Sequence, residues 1–563
     1  MFRQLAAAIT VLAAVVSATH VHRRKRDAQL GKPAVMFRVT QAYLDAITPV
    51  IPAALDLFLT EELTHCLNNT ETSLEKEGST MWVLDSFEVG HHEMPTVAIA
   101  LQEPSGVAIT VNGGHISGTV KGHKKEDASQ LGEVAVDLTA FNDNLVFAWE
   151  LDDGEVRLKL KQCEVERAAT FTPGGGVAED PELVAFYANL QTNYEAMVCA
   201  GVRKLLPKVR TIWRHEFLQK RAKANKGLVI DHSYAGLPTV HNGHLDVYAL
   251  GCARHINESL DECRDTANFN PVDLPEELDD SDHQFYMLVA DEKANRFFRK
   301  AFEMGLMSSP YQVPAAMGGD LLKELTMRLK AKYDTIDALD TDEFTVKAHF
   351  DEAPSITYVA NAEKMEVNFD MAPILDLVHK RDGAEMSNDR VKVSMQATDT
   401  ANFKMNGGEI ELNEQGMPKF EIQIEFSEFD MEFVSGTTQM TDEQKETIKT
   451  ETKKLIEEKV QQIAEAWEDM ERDLFPLKAK KQAWEAKVHN ALGTKDVHMH
   501  TYDNIHETAA NTEVNVQEAA ELVIDVIMKM CANHGPHHHH HAHGPHVHDG
   551  HGHHGHHHGH DHK

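Results

Sequence analysis

The chain has 563 residues, 42% hydrophobic and 26% charged, with a formal net charge of −34. That length leaves room for two to four domains and an ample core, and the composition excludes wholesale disorder. So acidic a balance also argues against nucleic acid or an anionic membrane surface as the main partner.

Arg3 precedes an apolar run from Leu5 to Val16, and Val16-Ser17-Ala18 offers small residues for cleavage, so residues 1–18 read as a secretory signal peptide. About twelve apolar residues cannot cross a bilayer that needs ~20. Arg23-Arg24-Lys25-Arg26 reads equally as a basic processing site before Asp27, making 19–26 a propeptide, or as a solvated charge run. No later stretch looks apolar enough to span a membrane, so a secreted, extracellular protein is expected. Six cysteines in such a chain allow three disulfides in fifteen connectivities. Cys163 is the nearest upstream partner for Cys199, Cys252 and Cys263 are close enough for a local loop, and Cys66 with Cys531 is what remains. Asn68 and Asn257 head glycosylation sequons.

Residues 34–40 form a short strand running into a helix that carries Leu44, Ile47, Ile51 and Leu55 on one side and is bent by Pro49 and Pro52. Strands follow at Met81–Val89, Thr96–Leu101, Gly106–Val111, Ile116–Lys121, Gly132–Phe141, Leu145–Leu151 and Glu155–Cys163. Several alternate apolar with polar residues, as in Val156, Leu158 and Leu160 against Arg157, Lys159 and Lys161, which predicts a twisted antiparallel sheet with one apolar face. Asp180, Pro181 and Glu182 then open a long amphipathic helix to about 223, with Phe186, Leu190 and Met197 on its apolar side and a kink expected at Pro207. Residues 224–282 hold the strand-like Gly227–Ile230 and His244–Leu250 and an acidic linker.

The same grammar then recurs. His283–Ala290 is a strand leading into a helix with Phe298 and Phe302. Strands are expected at Phe344–Phe350, Ser355–Val359, Glu363–Met371, Val391–Ala397, Gly408–Leu412 and Lys419–Phe426. A helix opened by a Thr441/Gln444 capping box carries Leu455 and Ile463. Residues 478–533 read as mixed helix. The tail from 534 is low-complexity and cannot build a core. Its imidazoles, His537, His538, His539, His540, His541, His556, His557 and His558 among them, suit Zn, Cu or Ni.

No Gly-x-Ser-x-Gly, Gly-x-x-x-x-Gly-Lys, Cys-x-x-Cys or His-Glu-x-x-His motif is present, and His91-His92-Glu93 reads as loop surface. The expectation is therefore a non-enzymatic binding protein that needs no cofactor. A concave apolar sheet closed by an apolar helix face either fills with side chains or accepts hydrocarbon.

Several segments resemble the family of bactericidal/permeability-increasing and lipopolysaccharide-binding proteins. KPAVMFRVTQAYLDA is similar to its N-terminus and GHISGTVKGHKKEDASQLGEVAVDL to its hairpin region. HQFYMLVADEKANRFFRKAFEMG resembles the start of its second domain, APSITYVANAEKMEVNFDMAPILDL a later strand pair, and Cys163 and Cys199 are placed like its disulfide. The resemblance covers about 32–475. It implies an α+β fold of two tubular barrels, each a twisted antiparallel sheet wrapped on a long amphipathic helix, joined by a central sheet into an elongated boomerang. The division expected is an N-terminal barrel over 27–223, a central sheet and linker over 224–282, a C-terminal barrel over 283–495, an extension over 496–533 and the tail over 534–563. It also implies lipid transport, with phospholipid acyl chains held by Leu44, Ile47, Ile51, Leu55, Phe186, Leu190 and Met197 in one pocket and by Phe298, Phe302, Leu455 and Ile463 in the other. Lipoprotein or membrane surfaces would be met transiently. Relatives that bind lipopolysaccharide carry a basic hairpin tip. Here Lys121, Lys124 and Lys125, the candidate headgroup contacts, are followed at once by Glu126 and Asp127. That favours neutral-lipid or phospholipid carriage over an innate-defence role against lipopolysaccharide, with an extracellular metal carrier as the third alternative.

Overall fold

A computed structural model describes residues 33–67, 70–72, 82–152, 155–214, 227–231, 233–259, 283–306, 326–331, 343–360, 365–406, 409–411, 419–436, 440–465, 491, 493–502 and 504–532. The leader and basic run, Asn68, Cys263 and the His-rich tail lie outside the described residues. The fold is α+β, with antiparallel sheets and few helices.

The two segments read as openings of the two halves, Val35–Thr40 and Phe285–Ala290, lie side by side. They pair antiparallel, Val35 opposite Val289 and Phe37 opposite Met287. Each is flanked by a hairpin that follows the long helix of its own half. His244–Ala249 and Thr239–His241 stand beside the first. Ile505–Thr512 and Thr494–Tyr502 stand beside the second. The first hairpin turns at Asn242 and Gly243, both at positive φ (49° and 76°), the conformation an Asn-Gly two-residue turn needs. With Met405–Asn406 and Glu409–Ile410 at one edge, these strands form an eight-stranded central sheet.

The segment expected to be mixed helix after 478 therefore supplies two central strands and then a helix, Val516–Ala532. Alternation in HMHTY and in the strand opposite it was there to be read, but the flanking histidines and alanines obscured it. The excursions beyond the hairpins are reciprocal. Cys252–His255, leaving the first hairpin, packs on helix Asp291–Glu303 of the second half. Helix Val516–Ala532, leaving the second hairpin, packs on Val50–Leu57 of the first.

The first half's own sheet runs Thr70–Thr72, Trp82–Glu93, Gly106–Lys124, Asp127–Asp152, Glu155–Gly175, with Thr96–Gln102 also paired to Gly106–Lys124. These strands are longer than expected, because Asn and Gly residues expected to end them lie within them. The chain instead passes through them on bulges. At Ala140 (φ 52°) the register against the next strand slips by a residue. Val134, Val136 and Leu138 are buried before it, and Phe141, Leu145, Phe147 and Trp149 after it. One extra residue thus swaps even for odd positions and keeps the same face inward along the whole strand.

Helices Pro181–Thr192 and Tyr194–Arg214 lie on the last strand. Asp180 caps the first, its Oδ1 accepting from the N–H groups of Glu182 and Leu183. The break falls at Asn193 (φ −111°, ψ 25°), not at Pro207, which sits inside the second helix. Asn193 uses its side-chain amide on the carbonyl of Asn189, a local bond that competes with helix continuation.

The second half repeats the layout. Its sheet is ordered Glu343–Phe350, Pro373–Arg381, Ala384–Phe403, Met365–Met371, Ser355–Tyr358, with Phe420–Ser435 also paired to Ala384–Phe403. Pro373–Arg381 was missed in the sequence, where its leading proline and charged end masked it. Helix Asp442–Glu465 covers this sheet. Its expected capping box is formed, Thr441 N–H donating to Gln444 Oε1 and Gln444 N–H to Thr441 Oγ1.

Candidate functional site: an apolar layer between sheet and helices

The run after the first strand is split into Gln41–Ile47, Val50–Leu57, a π-turn at Phe58–Glu62 and Leu63–Leu67. By length and composition Gln41–His65 is apolar enough to cross a membrane, which corrects the expectation that no stretch past the leader is. In this fold its apolar side packs into the core of the first half.

Leu44, Ile51 and Leu55 are buried there and Ile47 is half-buried. From the other helices come Leu183, Leu190, Tyr194, Val198 and Val202. From the sheet come Ile109, Val111, Val136, Leu138, Leu145 and Phe147. From the central sheet come Val240, Leu245 and Val247, and Ala520, Ile524 and Ile527 of the C-terminal helix join the layer too. It thus runs unbroken from Trp82 and Val177 at the outer end to the central sheet. Burying each such aliphatic side chain contributes roughly 1.5–3 kcal/mol. The Cys163–Cys199 disulfide ties the covering helix to the last strand, with Cα atoms 5.9 Å apart. Cys252 is also disulfide-bonded.

Two of the expected lining residues point elsewhere. Phe186 is 37% exposed and Met197 41%, and they flank the buried stripe together with Val184. A wide apolar stripe fixes a helix face only coarsely, and the break at Asn193 shifts the phase between the two. Phe186 stands edge-on to Tyr187, whose ring also meets Phe171. Burial raises the Tyr187 phenol above its ordinary pKa, as it does Tyr43 on the first helix.

In the second half Leu455 is buried with Ile448 and Ile456 against Leu375, Leu377, Val391, Val393 and Met395. The Ile463 side chain lies outside what is described. Phe298 and Phe302 are only half-buried on helix Asp291–Glu303. Neighbouring Phe297 packs with Leu228, Ala253 and Ala301 near the central sheet, and not in the core under the second sheet.

The headgroup lysines are at the outer hairpin. Lys121 forms an ion pair with Glu88. Lys124 lies beside Asp127, whose carboxyl is held low chiefly by the Ser129 hydroxyl and N–H. Leu131, at the same tip, is 67% exposed. Asn257 is exposed in a turn. His91, His92 and Glu93 belong to a strand, not a loop. His91 packs on His115, whose Nε2 is 2.7 Å from Asp137, and His92 lies 3.5 Å from Asp56. No group of three or more metal-ligating side chains occurs among the described residues.

No protein-family model and no curated protein matches the chain. Among solved structures it is similar to lipopolysaccharide binding protein, at 13% identity over 86% of this chain and 99% of that one, with a TM-score of 0.34. P47 from Clostridium botulinum A2 aligns at 9% identity over 85% and 97%, with a TM-score of 0.17. Both scores are too low for the likeness to bear on a ligand.

Buried polar atoms with no hydrogen-bond partner among the described residues occur in both apolar layers. Trp149 Nε1 is one in the first layer, and Thr452 Oγ1 is one on the helix covering the second. The alternation that places Trp149 in phase with Phe147 was visible in the sequence, yet nothing there showed that its indole would go unpaired.

Proposed function

We propose that the protein binds lipid and carries it, holding acyl chains in the apolar layer between the first sheet and its helices, with a second such layer in the other half. The observation that carries this reading is the continuity of the first layer from the outer end of the sheet to the central sheet. Exposed apolar side chains, Val184, Phe186 and Met197, stand on the helices that cover it. A layer of that length, lined by aliphatic and aromatic side chains, is chemically matched to hydrocarbon. In this reading the two halves are lipid-holding barrels set end to end in an elongated molecule, the chain is secreted, and phospholipid is the cargo. The His-rich tail adds an independent site for Zn, Cu or Ni. The defence reading draws less support, because Lys121 is committed to Glu88.

Mass spectrometry of an organic extract of the purified full-length protein tests the central claim. Co-purifying phospholipid near one or two molecules per chain is the expected outcome, and protein free of lipid that also takes up none from vesicles would end it. Retention of zinc by the full chain and its loss on deleting 534–563 is the outcome expected for the tail.

A further inference from the structure

We propose that the Trp149 indole N–H marks where the first polar atom of the bound lipid sits, donating a hydrogen bond to the ester carbonyl of an acyl chain. This rests on the lipid-binding reading of the first layer and specifies the chemistry of its inner end. Trp149 is 3% exposed and lies on the inward face of its strand, after Phe147 and beside Leu158 of the next strand. Its position is the seam between the first sheet and the central sheet. Its own N–H donates to the Ser105 carbonyl, the Ser105 hydroxyl donates to the Pro238 carbonyl, and Val240 N–H donates to the Pro104 carbonyl. The backbone there is therefore satisfied, while the indole Nε1 of Trp149 has no acceptor among the described residues.

A buried donor left unpaired costs about 1–3 kcal/mol, and buried indoles as a rule find a partner. The ring is packed among apolar groups, Phe147 and Val156 with it in the same core, so the acceptor it requires must be small and borne on something otherwise apolar. An esterified acyl chain answers that description. A free fatty-acid anion does not, because one neutral N–H cannot offset the loss of hydration of a carboxylate. A hydrocarbon chain alone offers no acceptor.

The test compares binding of a fluorescent phosphatidylcholine with ester-linked chains to that of its ether-linked analogue, which lacks the carbonyls, by the full-length protein and by Trp149→Phe. One added hydrogen bond corresponds to about a fivefold preference of the unmodified protein for the ester. Trp149→Phe should lose the preference and bind the two lipids equally. Equal affinity of the unmodified protein for both lipids overturns the proposal without any variant, and so does an ester preference that survives in Trp149→Phe. Failure of the unmodified protein to bind either lipid sinks the lipid reading of the layer itself, and this proposal with it.

Discussion

The two apolar layers share one order of elements and differ in how they are held. In the first, the covering helices are fastened to the sheet by Cys163–Cys199, and Asp143 is the buried charged side chain of that sheet among the described residues. In the second, helix Asp442–Glu465 is positioned by its capping box and by exposed ion pairs such as Lys449–Asp430 and Arg328–Glu458. Its layer also admits polar groups, with Thr452, His379 and Asp389 all buried and His379 Nε2 3.9 Å from Asp389. Exposed pairs contribute little, about 0–1 kcal/mol each, whereas a disulfide commonly contributes 2–4. The first layer is therefore the drier and the more firmly closed of the two.

The central sheet shows the same asymmetry. Arg38 on the first opening strand makes a two-pronged buried ion pair with Asp246 opposite, at 2.7 Å for each bond. The matching place on the second opening strand is Leu288, facing Glu507, which accepts from the Tyr502 hydroxyl at 3.0 Å. Arg38→Ala leaves a carboxylate buried without its cation and should cost about 3–5 kcal/mol in urea unfolding. A cost under about 1 kcal/mol would show the two sides of the seam to be alike. The disulfide comes next. Cys199→Ser should remove about 2–4 kcal/mol and, by hydrogen exchange, speed opening of 181–202 while leaving 442–465 at the parent rate. Equal acceleration in both helices would break the contrast.

The smallest effect depends on pH and belongs to the second side of the seam. Burial, with a lesser contribution from His500, pushes His506 down to about 4. A histidine lowered in the fold is stabilising in its neutral form, so stability is full above about 6.5 and falls as pH drops from there to about 4, by up to about 3 kcal/mol. Asp291, which burial and Glu292 raise to about 6, acts in the opposite sense, since its penalty is relieved on acidification. His506→Gln should then flatten the loss of unfolding free energy between pH 7 and 4.5 by about 2 kcal/mol, and Asp291→Asn should steepen it. Parallel pH curves for parent and His506→Gln would refute the assignment.

Local chemistry was the legible part of this fold. The Asp180 cap and the Thr441 box each depend on neighbours within a few residues and are present, and Val156, Leu158 and Leu160 all pack into the first core. Leu44, Ile51, Leu55, Leu190 and Leu455 were likewise placed inward by spacing alone. What escaped was set by distant partners. The slip at Ala140 depends on the strand across from it, and the strands after 493 become strands by pairing with Phe285–Ala290. Pro207 stays helical although its ring removes a donor, and the break at Asn193, which periodicity does not mark, shifts the phase between the helix carrying Phe186 and the one carrying Met197.

The exchange of segments between the halves governs the order in which this molecule can be completed. The face of Val50–Leu57 that receives Val516–Ala532 is made first, and its cover is synthesised more than 450 residues later. At typical synthesis rates that interval is on the order of tens of seconds. Through it, a greasy surface on the nascent chain stands uncovered, so the first half reaches its finished state only after the ribosome has delivered the segment that covers it.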